Sequence, residues 1–241
     1  MQIKLSPSAI SVFRDCPRCF WLEKNRNVKR PRGIFPSLPG GMDRIIKAYM
    51  DGCRPQHYKG SVLPPELVHP RTSGLALFND QTKLNRWRNW RSGLVYQNEN
   101  GDILSGALDD LLFDPAAGVY HPFDYKTKGS PTTDEDTIKY YQPQTDFYGV
   151  MLDANGMPVG DRAIFSYWSP DVVLKYAAEG EHAGVVSFNT QVIAIDVNLE
   201  RGKELFERAL VCLRGPMPEA DPECEYCHHF EQRGRHAGAA A

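Results

Sequence analysis

Between Gly106 and Lys126 the chain places three charged side chains, Asp109, Asp124 and Lys126, inside what the apolar pattern around them predicts to be a buried β-hairpin. Charges in a core sheet are costly unless they are paired or bound to a metal, so they demand a chemical reason. Asp124 and Lys126 stand two apart, and on a strand such residues point to the same face. A carboxylate and an ammonium therefore project together, opposite a second carboxylate from the neighbouring strand. That combination is the chemistry of a divalent-metal phosphodiester hydrolase. Asp110 competes with Asp109 for the role, since adjacent strand residues face opposite sides.

The chain has 241 residues, 41% of them hydrophobic, enough for a substantial core in one domain. A net charge of −2 excludes a globally basic nucleic-acid binder and leaves room for a local basic groove. No apolar run approaches the roughly 18 residues that span a membrane, and the first residues lack a signal-peptide core, so the expected location is cytoplasmic. Four of the six cysteines form two Cys-x-x-Cys pairs near opposite ends of the chain, Cys16 with Cys19 and Cys224 with Cys227. In a cytosolic protein such pairs are more often metal ligands than disulfides, and here they would clasp the two ends together.

Ser6-Pro7 predicts a helix start, with the helix bent or broken at Pro17. A basic run follows, with Lys24, Arg26, Lys29, Arg30 and Arg32, which reads either as a solvated loop or as a phosphate-contacting stripe. Gly33 to Gly41 reads as a loop and Met42 to Asp51 as a helix, with Asp43 near its start either favouring the helix dipole or serving a site. Residues 54–85 read as a loop-rich insertion with a short helix near Pro65 to His69. Strands are predicted over 90–97, 103–113 and 119–126, a helix over 134–152 containing Pro143, strands over 162–168, 172–176 and 185–197, and a last amphipathic helix over 199–213. Gln144 and Tyr148 lie one turn apart on the 134–152 helix and so share a face, either for packing or for reaching the site.

The order Gly106-Ala-Leu-Asp109, Asp124-Tyr-Lys126 and Gln144-Thr-Asp-Phe-Tyr148, after an opening Leu5-Ser-Pro-Ser-Ala-Ile-Ser-Val-Phe13 and Cys16-Pro-Arg, resembles the PD-(D/E)XK nuclease superfamily and, within it, the RecB-type branch. The resemblance implies an α/β (α+β) fold with a restriction-endonuclease-like core, a mixed central sheet flanked by helices, spanning the chain as a single nuclease domain of residues 1–241. It implies a Mg²⁺- or Mn²⁺-dependent deoxyribonuclease, an exonuclease on single strands or duplex ends, working in repair, recombination or CRISPR or phage DNA processing. Asp109, Asp124 and the backbone carbonyl of Tyr125 would ligate the metal, Lys126 would stabilise developing negative charge, and Gln144 and Tyr148 would reach the site or the DNA. Asp109 takes the motif position three residues after Gly106, which favours it over Asp110. Many relatives carry a histidine ligand in the helix before the hairpin; this chain offers Asp43 there instead.

Relatives with an iron-sulfur cluster imply a four-iron four-sulfur group on Cys16, Cys19, Cys224 and Cys227, whereas the symmetric spacing of the pairs suits a structural zinc. The alternative function is a catalytically silent DNA-binding or scaffold subunit that keeps the fold; the intact set of Asp109, Asp124 and Lys126 argues against it. No Walker loop is present, so any unwinding falls to a partner such as a helicase.

Overall fold

The computed structural model describes residues 2–31, 33, 37–54, 63–175 and 185–238, with side chains except at 172–175, 185 and 234–238. Arg32, residues 55–62 of the predicted insertion and Tyr176 lie outside the described residues.

Strand β1 (Lys4–Leu5) leads into α1 (Pro7–Asp15), capped by the Ser6 hydroxyl, which accepts from the amide of Ala9 at 3.3 Å. The chain breaks at Cys16, extended between two helices, and Pro17 opens α2 (Pro17–Arg26), where its missing N–H has no helical partner to lose. Helix α3 runs over Ser37–Gly52, starting five residues earlier than the pattern predicts. Pro39 sits in its first turn, where proline is tolerated, so the Pro-Gly-Gly run does not mark a loop.

Segment 63–85 carries two short 3₁₀ turns, at Pro65–Leu67 and Pro70–Thr72, then strand β2 (Ala76–Leu77) and the start of α4 (Gln81–Arg88). The sequence reading has no helix at α4, because only Leu84 and Trp87 mark its inner face. The predicted strand at 90–97 shortens to β3 (Leu94–Gln97).

The predicted single strand over 103–113 is two strands, β4 (Ile103–Gly106) and β5 (Asp110–Asp114), in different sheets. The three-stranded sheet has the order β1-β4-β3. The five-stranded sheet adds β6 (Val119–Thr127), β7 (Arg162–Lys175) and β8 (Val185–Asp196) in the order β2-β5-β6-β7-β8, with β6 and β7 parallel and the other pairs antiparallel. Strand β7 is continuous through residue 170, where two strands were expected.

The β6–β7 crossover is helix α5 (Asp134–Ala154), capped by Thr133 and acidic in its first turn. Residues 145–152 are buried one after another, so α5 is enclosed on all sides rather than amphipathic, and Pro143 is carried within it. Helix α6 (Leu199–Arg214) packs Phe206, Leu210 and Leu213 into the same core as α1 and α5. It is tied to α5 by buried Asp146, which accepts from Arg201 Nε at 2.5 Å and from the Asn198 amide at 2.9 Å. A second core, on the α3 face of the large sheet, holds Ile46, Met50, Leu112, Phe123 and Tyr125. Helix α7 (Glu225–Gly238) ends the described chain; it has no counterpart among the predicted elements, its described residues being mostly charged or polar.

Candidate functional site

Asp124 and Lys126 project from one face of β6, and Lys126 Nζ lies 2.8 Å from Asp124 Oδ2. Asp109 occupies the break between β4 and β5 and meets them there. Asp124 is 3% exposed and its Oδ1 has no hydrogen-bond partner among the described residues. Burial, opposed by Lys126 and reinforced by the negative charge of Asp109, pushes the Asp124 carboxyl up to about 8. Burial acts on Asp109 in the same direction, but the hydrogen bond with Asp124 and the charge of Lys47 outweigh it and hold Asp109 below the usual carboxylate range. Lys126 is held well above the usual lysine range: burial works against its charge, but Asp124 more than compensates. Two carboxylates thus face each other, with one buried oxygen that has no hydrogen-bond partner among the described residues.

Helix α3 delivers a residue that the sequence reading missed. Lys47 Nζ lies 2.7 Å from Asp109 Oδ1 and 3.0 Å from Asp43 Oδ2, so Asp43 reaches the site only through Lys47. The spacing Asp43, Lys47, Asp51 puts all three on one face of a helix and was the available signal.

Asp110 points to the other side of the sheet. It is fully buried, 2.7 Å from Arg54 Nη2 and 3.2 Å from Arg88 Nη2, and accepts the Tyr125 hydroxyl. Arg54 also donates to Asp51, Gln81 and the Phe78 carbonyl, and Arg88 Nε donates to the Asp109 carbonyl at 2.7 Å. This network grips the backbone of the residue whose side chain faces Asp124.

Along β6 the even-numbered residues direct their backbone groups toward the β7 side, as Tyr120 and Lys128 do in bonding the chain at 158–160 and Trp168. Alternation turns the Tyr125 carbonyl to the opposite edge, where β5 has already ended at the Asp110–Phe123 pair.

From α5, Gln144 Nε2 donates to Asp124 Oδ2 at 3.3 Å and to the Tyr148 hydroxyl at 2.6 Å, so both reach the site. Gly106 lies under Pro7 and Met151, whose side-chain carbons would stand 3.2 and 3.1 Å from an added Cβ. A larger residue where the chain passes between α1 and α5 would have to push Met151 or Pro7 aside.

The basic residues disperse. Lys24 lines a groove leading to Gln144 and Tyr148, Arg26 stacks over Trp21, and Arg30 turns toward the cysteines, pairing with Asp15 at 3.1 Å and lying over the Tyr226 ring. Lys29 lines a second, apolar pocket beside Cys19 and Cys227.

The four cysteines converge, with every ligand atom within 4.8 Å of the others. Cys16 Sγ stands 3.8 Å from Cys227 Sγ, and Cys19 Sγ stands 3.6 Å from both Cys224 and Cys227. The Cys19 amide donates to Cys16 Sγ and Arg30 approaches Cys224 Sγ at 3.9 Å. Burial raises the Cys16 thiol, but backbone hydrogen bonds at Asp221 and Cys19 prevail and bring it down to about 7. Cys53 is buried and Cys212 half-buried, its Sγ 3.9 Å from the Pro17 carbonyl; neither belongs to this group.

A mixed sheet whose Asp-x-Lys strand is followed by a crossover helix carrying Gln and Tyr to the same carboxylates defines a restriction-endonuclease-like nuclease fold. The chain belongs to the PD-(D/E)XK nuclease superfamily, whose family model matches residues 71–231, two-thirds of the sequence. Among solved structures it is similar to a candidate exonuclease from Eubacterium rectale, at 14% identity and a TM-score of 0.45, over 94% of this chain and 87% of that one. Comparison with curated proteins gives no match. No helix among the described residues is long and apolar enough to cross a membrane.

Proposed function

We propose that the protein is a Mg²⁺- or Mn²⁺-dependent deoxyribonuclease acting on single strands or duplex ends in DNA repair, recombination or CRISPR or phage DNA processing. The observation that carries this reading is the buried Asp124 oxygen without a partner, facing Asp109 beside Lys126. Asp109, Asp124 and the Tyr125 carbonyl are hard oxygen donors of the kind such cations take. The cation supplies Lewis-acid polarisation of the scissile phosphate and of the attacking water. Lys126 stabilises charge that develops on the phosphate, Gln144 and Tyr148 hold Asp124 in place and border the substrate, and Lys47 keeps Asp109 ionised through a 2.7 Å contact. Asp43 acts through Lys47.

Cation binding and pH are linked. Below about 8 the metal-free site holds a proton on Asp124 that the cation must displace, so Mn²⁺ affinity rises with pH up to that value and each binding event releases a proton. Calorimetric titration in buffers of different ionisation enthalpy reads the proton directly. Affinity that does not change over the two pH units below that value would contradict the assignment, as would Asp109→Asn binding Mn²⁺ like the wild type.

For the clasp, the sulfur spacing favours one zinc ion. Four thiolates at about 2.3 Å from one tetrahedral ion stand roughly 3.8 Å apart, which matches three of the separations here, 3.8, 3.6 and 3.6 Å, in a group that 4.8 Å encloses. A four-iron cluster holds each thiolate beyond its own iron corner and so needs the sulfurs farther apart than the 4.8 Å that encloses this group, which is why one zinc ion is the favoured occupant. Elemental analysis of protein purified without air is expected to find one zinc per chain and a colourless solution. Stoichiometric iron with visible absorption would overturn this.

A further inference from the structure

The groove that reaches Gln144 and Tyr148 has a volume of about 770 Å³ and is lined by Lys4, Lys24 and Arg91, several serines and Trp90, with no acidic residue. In a chain of net charge −2 that local composition is a marked departure. Trp90 is 71% exposed, although a side chain of this size normally buries its ring. The Arg91 guanidinium lies 4.9 Å from the Trp90 ring, and neither Lys4 nor Arg91 makes an ion pair among the described residues.

The tip that carries Trp90 is held firmly. The Asn89 side chain accepts from the Arg91 amide at 3.0 Å, Ser92 Oγ donates to the Arg86 carbonyl, and Gly93 is packed so closely on the strand of the site that a Cβ there would lie 2.2 Å from the Gly106 carbonyl oxygen. The backbone that carries the ring therefore has a fixed position on the wall of a groove that reaches Gln144, which donates to Asp124.

We propose that Trp90 and Arg91 form a nucleobase-stacking site for the unpaired strand entering the active site, with Arg91, Lys4 and Lys24 contacting its phosphates. An exposed indole flanked by Lys4 and Arg91, which have no ion pair among the described residues, and by Lys24, which pairs with Glu23 at 3.3 Å, is complementary to a flat, electron-rich base on an anionic backbone. The occupant is a single strand, because duplex bases are already stacked on one another and offer the indole no open face. The inference deepens the nuclease reading by assigning the groove its substrate contacts, but it stands on the groove alone.

The test is fluorescence anisotropy of labelled oligo(dT) and of a duplex of equal length with the full chain in buffer without Mg²⁺ or Mn²⁺, where cleavage does not interfere. Trp90→Ala is expected to weaken oligo(dT) binding roughly ten-fold, Trp90→Phe less, and neither to change duplex binding. Arg91→Ala should also flatten the salt dependence. Oligo(dT) should quench tryptophan emission in the wild type and fail to do so in Trp90→Phe. Oligo(dT) binding by Trp90→Ala at wild-type strength, equal loss for single strand and duplex, or quenching that survives in Trp90→Phe would each overturn the proposal. Trp90-dependent binding without any cleavage would leave this site standing and remove the nuclease reading; cleavage with Trp90-independent binding would do the reverse.

Discussion

Replacing Asp124 with Asn is expected to reduce DNA cleavage on the order of a thousand-fold or more, while leaving the fold intact and its metal-free stability less dependent on pH. The substitution keeps the shape of a side chain that is 3% exposed but removes the charge that a cation requires. Its effect on stability follows from the raised carboxyl, pushed up to about 8 in the folded protein against 3.8 for an ordinary aspartate. Between these values the folded chain holds a proton that the unfolded chain has released. Wild-type metal-free stability therefore falls as pH rises through this window, by at most about 1.4 kcal/mol per pH unit from this group. Asparagine does not titrate, so its denaturation free energy should lack that component. Cleavage within ten-fold of wild type, or an unchanged pH slope, would count against Asp124 as the buried ligand.

Arg54→Met should be the most damaging substitution for stability. Arg54 and Asp110 are both fully buried, 2.7 Å apart, and Arg54 also satisfies Asp51, Gln81 and the Phe78 carbonyl. Methionine fills part of the volume but leaves the Asp110 carboxylate in the core with Arg88 as its one cation, beside the Tyr125 hydroxyl and the Leu111 amide. Breaking a buried pair from one side costs roughly 3–5 kcal/mol. Removing both partners, in Arg54→Met with Asp110→Leu, should recover part of that loss, because no charge is then left buried alone. Denaturant titration checks both; a single variant as stable as the wild type would show that the network does not carry the sheet edge.

The network also explains why only part of the site was legible in the sequence. Asp124-Tyr-Lys126 and the two Cys-x-x-Cys pairs could be read because their chemistry depends on local spacing, two residues on a strand or three around a metal-binding turn. The Asp109 position was legible only as a motif. The chain's split into two sheets at Ala107–Asp109 comes from packing against α1 and α5, and no residue pattern over 103–113 encodes it. Lys47 was hidden because its partner Asp109 lies far along the chain, and Arg54 because it sits in a stretch with no regular pattern. Helices α4 and α7 escaped for the opposite reason: they expose so much polar surface that few apolar residues mark their inner faces. Arg30 looked like a phosphate ligand by charge alone, and the fold directs it to the cysteines instead.

The central claim is that Asp109, Asp124 and Lys126 form a cation-dependent site that cleaves DNA. It is tested most directly by incubating end-labelled single- and double-stranded DNA with purified protein, with Mn²⁺ or with EDTA, alongside Lys126→Ala. Degradation by the wild type that requires Mn²⁺ and is lost in Lys126→Ala is the predicted result; no degradation by the wild type, or equal degradation by the variant, would contradict it.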